Sequence, residues 1–299
     1  MSRWTFTLEP PSLYFAHIPK TSGVSLFVFL RDSYGRRRTF PMMVRQEFLG
    51  YSPEELQKYR LFVGHWGLDI EAHLPPGTLW MTVLRDPVEQ SMSWFYHMQY
   101  IIPRYPEAYT PLARWQPVVD NDLQGALDSP FIVAQLANQQ TRFLATAVRY
   151  APFASPGEWE TYDDLTAVEP PEEEVYGRAL TYLTQMAAVG VTERFNDTVK
   201  IVCHLLGLVP PWAQPHYNLN KRREQMGPDY YRRQLSPGLL QQLEALVAYD
   251  RRLYEVAQQR LNQQMAELAQ SSRRVWAIGP LFRQIFYSAA RLAWQPFRR

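Results

Sequence analysis

Cysteine is almost missing from this 299-residue chain, which has Cys203 alone. A single cysteine excludes an internal disulfide and any cysteine-rich zinc site. No run approaches the ~18–20 consecutive apolar residues that a bilayer crossing needs. The first ten residues lack the apolar stretch of a secretory signal. These absences set the expectation of a cytoplasmic chain. Lysine is scarce, occurring only at positions 20, 58, 200 and 221. The net charge of +2 is too small to point to nucleic acid, and none is expected as a partner. His17, His73, His97, His204 and His216 show no metal-ligand spacing, and no metal is expected.

Apolar material is plentiful. Hydrophobic residues make up 46% of the chain against 20% charged, enough for a large core. Charge is unevenly placed: residues 151–174 carry acids from Glu158 to Glu174 and no Lys or Arg, and read as a long solvated loop. No acid follows Glu267, whereas Arg273, Arg274, Arg283 and Arg291 do. Residues 1–270 are therefore expected to form one domain and 271–299 a basic tail. Within the tail, Pro280 suits a first helical position, and 281–293 sorts into an apolar and a polar half at helical period. Such a helix packs on its own protein or a partner, or contacts an anionic membrane surface peripherally through 273–299.

Leu13–Ile18 reads as a buried strand ended by Pro19, followed by a tight loop and a helix from Val24 to near Gly35. Further strands are expected over 61–63, 79–84 and 186–191. Asp86, Pro87 and Glu89 form a helix start, with Asp86 as cap and Glu89 completing a capping box. Prolines recur between 103 and 130, predicting irregular structure. Helices are expected over 131–147, up to Leu206 and over 237–269, with a loop at 210–228. Alternating strands and helices imply an α/β fold in three layers, a parallel sheet flanked by helices on both faces. Ligands in such sheets bind beyond the carboxyl ends of the strands, where three ends carry Lys20, His65 and Arg85.

The strand–loop–helix unit at Lys20-Thr21-Ser22-Gly23 presents backbone N–H groups at a helix N-terminus, which suits an anion. It lacks the flanking glycines of the ATP/GTP loop G-x-x-x-x-G-K-[ST]. The run Ala16-His17-Ile18-Pro19-Lys20-Thr21-Ser22-Gly23-Val24-Ser25 resembles instead the phosphosulfate-binding loop of sulfotransferases. The closest group is that of the heparan sulfate 2-O-sulfotransferases and their bacterial relatives, which typically show H-I-P-K-T-G-G-T-S. Those enzymes use 3′-phosphoadenosine 5′-phosphosulfate (PAPS) on a phosphate-loop-like fold. Arg85-Asp86-Pro87-Val88-Glu89-Gln90-Ser91-Met92-Ser93 is similar to the family's 3′-phosphate motif, an Arg followed eight residues later by a Ser. Val63-Gly64-His65 resembles the segment with the catalytic histidine. Weaker similarities lie at Asn138–Leu144, Val189–Phe195 and Asp250–Tyr254. Ser22 and Val24 depart from the family pattern, and Val63 stands where the 2-O-sulfotransferases carry a second histidine.

The resemblance implies that Lys20, Thr21, Ser22, Gly23, Val24 and Ser25 hold the phosphosulfate, and that Arg85 and Ser93 hold the 3′-phosphate. It gives Lys20 the charge on the breaking sulfate–phosphate bond and His65 the role of general base, with Glu47 as the rival base. Lys221 and Arg222 would close over the nucleotide, or form a solvated basic run. The expected reaction is sulfuryl transfer from PAPS to a hydroxyl of a carbohydrate or small-metabolite acceptor, with no metal. Two alternatives stand beside it: a phosphate-loop ATP-dependent kinase with Asp86 on magnesium, and a non-catalytic nucleotide-binding relative. Helix capping is the better reading of Asp86.

Overall fold

A computed structural model describes residues 10–41, 48–66, 70–145, 172–208, 227 and 229–276, the last six through their backbone. Strand β1 (Leu13–Ala16) is apolar throughout and wholly buried. Successive side chains point to opposite faces, so a strand buried at every position has both faces covered. It pairs in parallel with β2 (Leu61–Gly64) on one side and β3 (Leu79–Leu84) on the other. Strand β4 (Ala188–Val191) joins β3, giving the all-parallel order β2-β1-β3-β4. The fold is thus α/β, as expected.

Helix α1 (Gly23–Tyr34) follows β1 and stops at Gly35, whose φ of 81° a side chain would strain. Helix α2 (Pro87–Ile101) follows β3. Pairing of β1 ends at Ala16 rather than Ile18, with His17 N–H giving one last bond to the Gly64 carbonyl at 3.1 Å. Between 102 and 128 the chain makes short helical turns, the consequence of its recurrent prolines.

Three helical expectations need correction. The helix predicted over 131–147 is two, α3 (Pro130–Leu136) and α4 (Gln139–Ala145), broken at Asn138 with φ 45°. The helix predicted over 237–269 is also two, α7 (Pro237–Leu246) and α8 (Ala248–Trp276). One contact explains both breaks. Asn138 Oδ1 accepts the N–H groups of Tyr249 and Asp250 at 3.0 and 3.2 Å, while the buried Asp250 carboxylate accepts those of Gln140 and Thr141 at 3.1 and 2.7 Å. Each helix start is capped by the other. Third, residues 172–174 are the first turn of α5 (Glu172–Gln185), not the end of a loop. Three glutamates at a helix N-terminus suit its dipole.

Helix α6 (Phe195–Leu206) packs beside β4, with Cys203 buried and its thiol pushed up to about 12 by burial. A second core forms around α2, where Trp94, Phe95 and Met98 meet Trp115 and Leu243. Helix α8 runs unbroken across position 270, where the tail was expected to begin. The amphipathic stretch 281–293 lies outside the described residues. Among the described residues, no helix is long and apolar enough to cross a membrane.

Candidate active site

The order β2-β1-β3-β4 sends the chain from β1 to one side and then back to the other, so the switch point falls between β1 and β3. The crevice beyond such a point is where open α/β sheets hold ligands. The loops leaving β1 and β3 meet there. Arg85 Nη1 donates to the Lys20 carbonyl at 3.1 Å, and Gln90 Nε2 of α2 donates to the Pro19 carbonyl at 3.2 Å.

The Lys20 loop is held in an uncommon shape. Lys20 and Ser22 both have left-handed backbones, with φ of 67° and 66°. Such non-glycine conformations persist only where the surroundings enforce them. The position of Ser22 is where the resembled family commonly has glycine, and its backbone shows why glycine suits it. The Thr21 hydroxyl is buried and donates to the Ile18 carbonyl at 2.8 Å, closing the turn. The Ser22 side chain makes no cap bond at the start of α1, in contrast to α2, α3 and α7, capped by Asp86, Ser129 and Ser236. The first N–H groups of an α-helix have no partner within the helix, and those of α1 lie next to the Lys20 loop. Ser25 is buried, and Val24 is 40% exposed.

Gly23 has a steric reason. A Cβ there would lie 1.9 Å from His17 Cδ2 and Nε2, so the His17 ring occupies the space a side chain would take. That ring is buried between Phe15 and His65, at centroid distances of 5.4 and 4.6 Å. Among the described residues, His17 Nδ1 has no hydrogen-bond partner. Burial, His65 and Lys20 together hold His17 well below the ordinary histidine range.

His65 follows β2, directly across from His17 in the register that pairs Ala16 with Gly64. Its Nδ1 lies 2.5 Å from the His17 carbonyl oxygen. A carbonyl only accepts, so Nδ1 carries the proton and Nε2 is left as a lone pair. Burial pushes His65 down to about 4, against the opposing effect of that hydrogen bond. Trp66 backs the segment, stacked on Tyr14 and Phe48.

Arg85 is almost wholly buried and paired with buried Glu89, Nη2 to Oε2 at 3.2 Å. The expected capping box is therefore incomplete. Asp86 does accept from Glu89 N–H at 3.1 Å, but Asp86 N–H goes to Glu193 Oε1 at 3.2 Å rather than back to Glu89. The other Asp86 oxygen takes Arg251 Nη1 at 2.6 Å. Burial opposes ionisation of Asp86, yet Arg251, the Glu89 N–H and Arg232 hold it below its usual value. Gln140 clamps the Arg85 main chain, accepting from its N–H at 3.0 Å and donating to its carbonyl at 2.9 Å. Glu193 Oε2 accepts from the Tyr254 hydroxyl at 2.8 Å. The weakly similar segments around 138–144, 189–195 and 250–254 thus converge on the Arg85–Asp86 turn.

Ser93 is half-buried on α2. Glu89, Ser93 and His97 recur every four residues and share one face of the helix. Glu89 touches Arg85, and His97 lies near enough to Lys20 that burial and that charge lower it to about 4. Ser93 stands between them. His17 and His97 were not among the expected site residues, although the i, i+4, i+8 spacing marks the second. Glu47, Lys221 and Arg222 lie outside the described residues. Among the described residues, no cluster of His, Cys, Asp or Glu is arranged to hold a metal.

No protein-family model matches the chain, and no curated protein matches it.

Proposed function

We propose that the chain is a PAPS-dependent sulfotransferase acting on a hydroxyl of a carbohydrate or small-metabolite acceptor. The observation that carries this reading is the His65 Nδ1–H bond to the His17 carbonyl. It leaves Nε2 as a base, just beyond β2 and so beside the strand β1 that leads into the Lys20 loop. When bound, PAPS supplies a sulfuryl group joined to phosphate through a mixed anhydride.

The residues present suit that ligand. Lys20, the left-handed turn and the helix N-terminus of α1 favour the phosphosulfate end, through N–H groups of residues 21–25 and the Ser25 hydroxyl. Arg85 and Ser93 suit a second phosphate at the end of β3. Lys20 stabilises charge that develops on the leaving oxygen. His65 takes the acceptor's proton at Nε2. Its low pKa keeps it neutral at pH 7, and bound anion raises it toward the range of an effective base.

The kinase alternative, which puts Asp86 on magnesium, is disfavoured because both Asp86 oxygens are engaged, one by the Glu89 N–H and one by Arg251. The test is turnover of labelled PAPS over a panel of hydroxyl acceptors. His65→Gln is expected to lose on the order of 10²–10⁴ in rate while bisphosphate affinity changes less than about twofold. A near-wild-type rate removes His65 from the chemistry and turns attention to Glu47.

A further inference from the structure

Glu89 is fully buried and its carboxylate serves two partners at once. Oε2 holds the Arg85 guanidinium at 3.2 Å. Oε1 accepts the main-chain N–H groups of Tyr231 and Arg232 at 2.7 and 3.0 Å. Those two residues belong to the segment 229–235, far along the chain between the Lys20 loop unit and α7. Tyr231 adds a second contact, its ring 5.9 Å from the Arg85 guanidinium carbon and stacked on Tyr96 at 5.3 Å. Arg85 in turn donates to the Lys20 carbonyl. A continuous path of hydrogen bonds therefore runs from the loop through Arg85 and Glu89 to the 229–235 backbone.

We propose that Glu89 is a positioning residue that makes anion binding at Arg85 and docking of the 229–235 segment a single linked event. This rests on the reading of Arg85 as an anion contact. A carboxylate is the one side chain of this length with acceptors on both sides. It holds the planar Arg85 fork with one oxygen and the Tyr231 and Arg232 amides with the other. Glutamine cannot replace it. Its one carbonyl oxygen serves either Arg85 or the amides, and its NH₂ then faces a donor. Lysine at position 85 cannot replace arginine, because a point charge does not span the Lys20 carbonyl and Glu89 in fixed geometry.

The experiment is a double-mutant cycle of Glu89→Gln and Arg85→Lys, read by calorimetric titration with adenosine 3′,5′-bisphosphate and by amide hydrogen exchange. Glu89→Gln is expected to weaken bisphosphate binding about tenfold, the size of one lost charge-assisted hydrogen bond. In the Arg85→Lys background the same change is expected to cost less than about twofold, because the path is already cut. Exchange at the Tyr231 and Arg232 amides is expected to quicken in either single variant, with β3 amides unchanged. Equal weakening in both backgrounds overturns the proposal, since Glu89 would then act through general stability alone. If the wild-type chain does not take the bisphosphate, the reading of Arg85 fails, and the link is decided by exchange. Unchanged Tyr231 and Arg232 amides in Arg85→Lys overturn it there too.

Discussion

Gly23→Ala places one methyl group where the structure has none to spare. The new Cβ meets His17 Cδ2 and Nε2 at 1.9 Å and Cε1 at 2.7 Å, whereas ordinary contact begins near 3.4 Å. Either α1 or the ring must move by about 1.5 Å, a displacement of the overpacking kind that costs roughly 1–3 kcal/mol. The ring has nowhere easy to go, being flanked by Phe15 and His65 and buried. In urea the unfolding midpoint is expected to fall by about 0.3–1 M at an m-value near 3 kcal/mol/M. The effect reaches function as well, because moving His17 disturbs the carbonyl that fixes His65. A matched control is Gly177→Ala at an exposed position of helix α5, where a Cβ meets nothing within 4 Å. That variant is expected to gain about 0.5–1 kcal/mol, since alanine suits a helix interior better than glycine. Wild-type stability and turnover in Gly23→Ala, alongside the expected gain in Gly177→Ala, would refute the packing argument.

Ser22→Gly is expected to stabilise the chain by about 0.5–1 kcal/mol, because it relieves a left-handed non-glycine backbone that makes no capping bond in return. A lowered urea midpoint would show that the serine side chain matters more than its backbone. Asp250 gives a pH signature. Burial raises its pKa to about 6, so its folded form binds a proton more tightly than the unfolded one. The associated stability, on the order of 3 kcal/mol, is present below about pH 4 and is lost as pH rises toward 6. Asp250→Asn should flatten that part of the pH–stability curve, and an unaltered curve would place the titration elsewhere.

The strands were legible because each is a short apolar run punctuated by a polar end, and a parallel sheet covered on both faces needs just that. The helix starts at Asp86 and near Gly23 were legible from local capping and turn chemistry. What escaped is long-range. Nothing local in Asn138 or Val247 announces a helix break; the cause is the reciprocal capping of 138–141 and 249–250, more than a hundred residues apart. Glu172–Glu174 read as solvated loop because their charge pattern says the same whether or not a helix follows. Glu89 looked like the second half of a capping box, and its real partners, Arg85 and the 231–232 amides, are set by the sheet. The candidate site was visible as three strand ends, but not the histidines around Lys20, since His17 and His97 come from different elements.

Calorimetric titration of the full chain with adenosine 3′,5′-bisphosphate, and separately with ATP and magnesium, tests the central claim most directly. A sulfotransferase site should prefer the bisphosphate, with affinity falling at least about tenfold in Arg85→Lys, whose single point charge loses the planar fork. Preference for magnesium-ATP, or no bisphosphate binding, would contradict it.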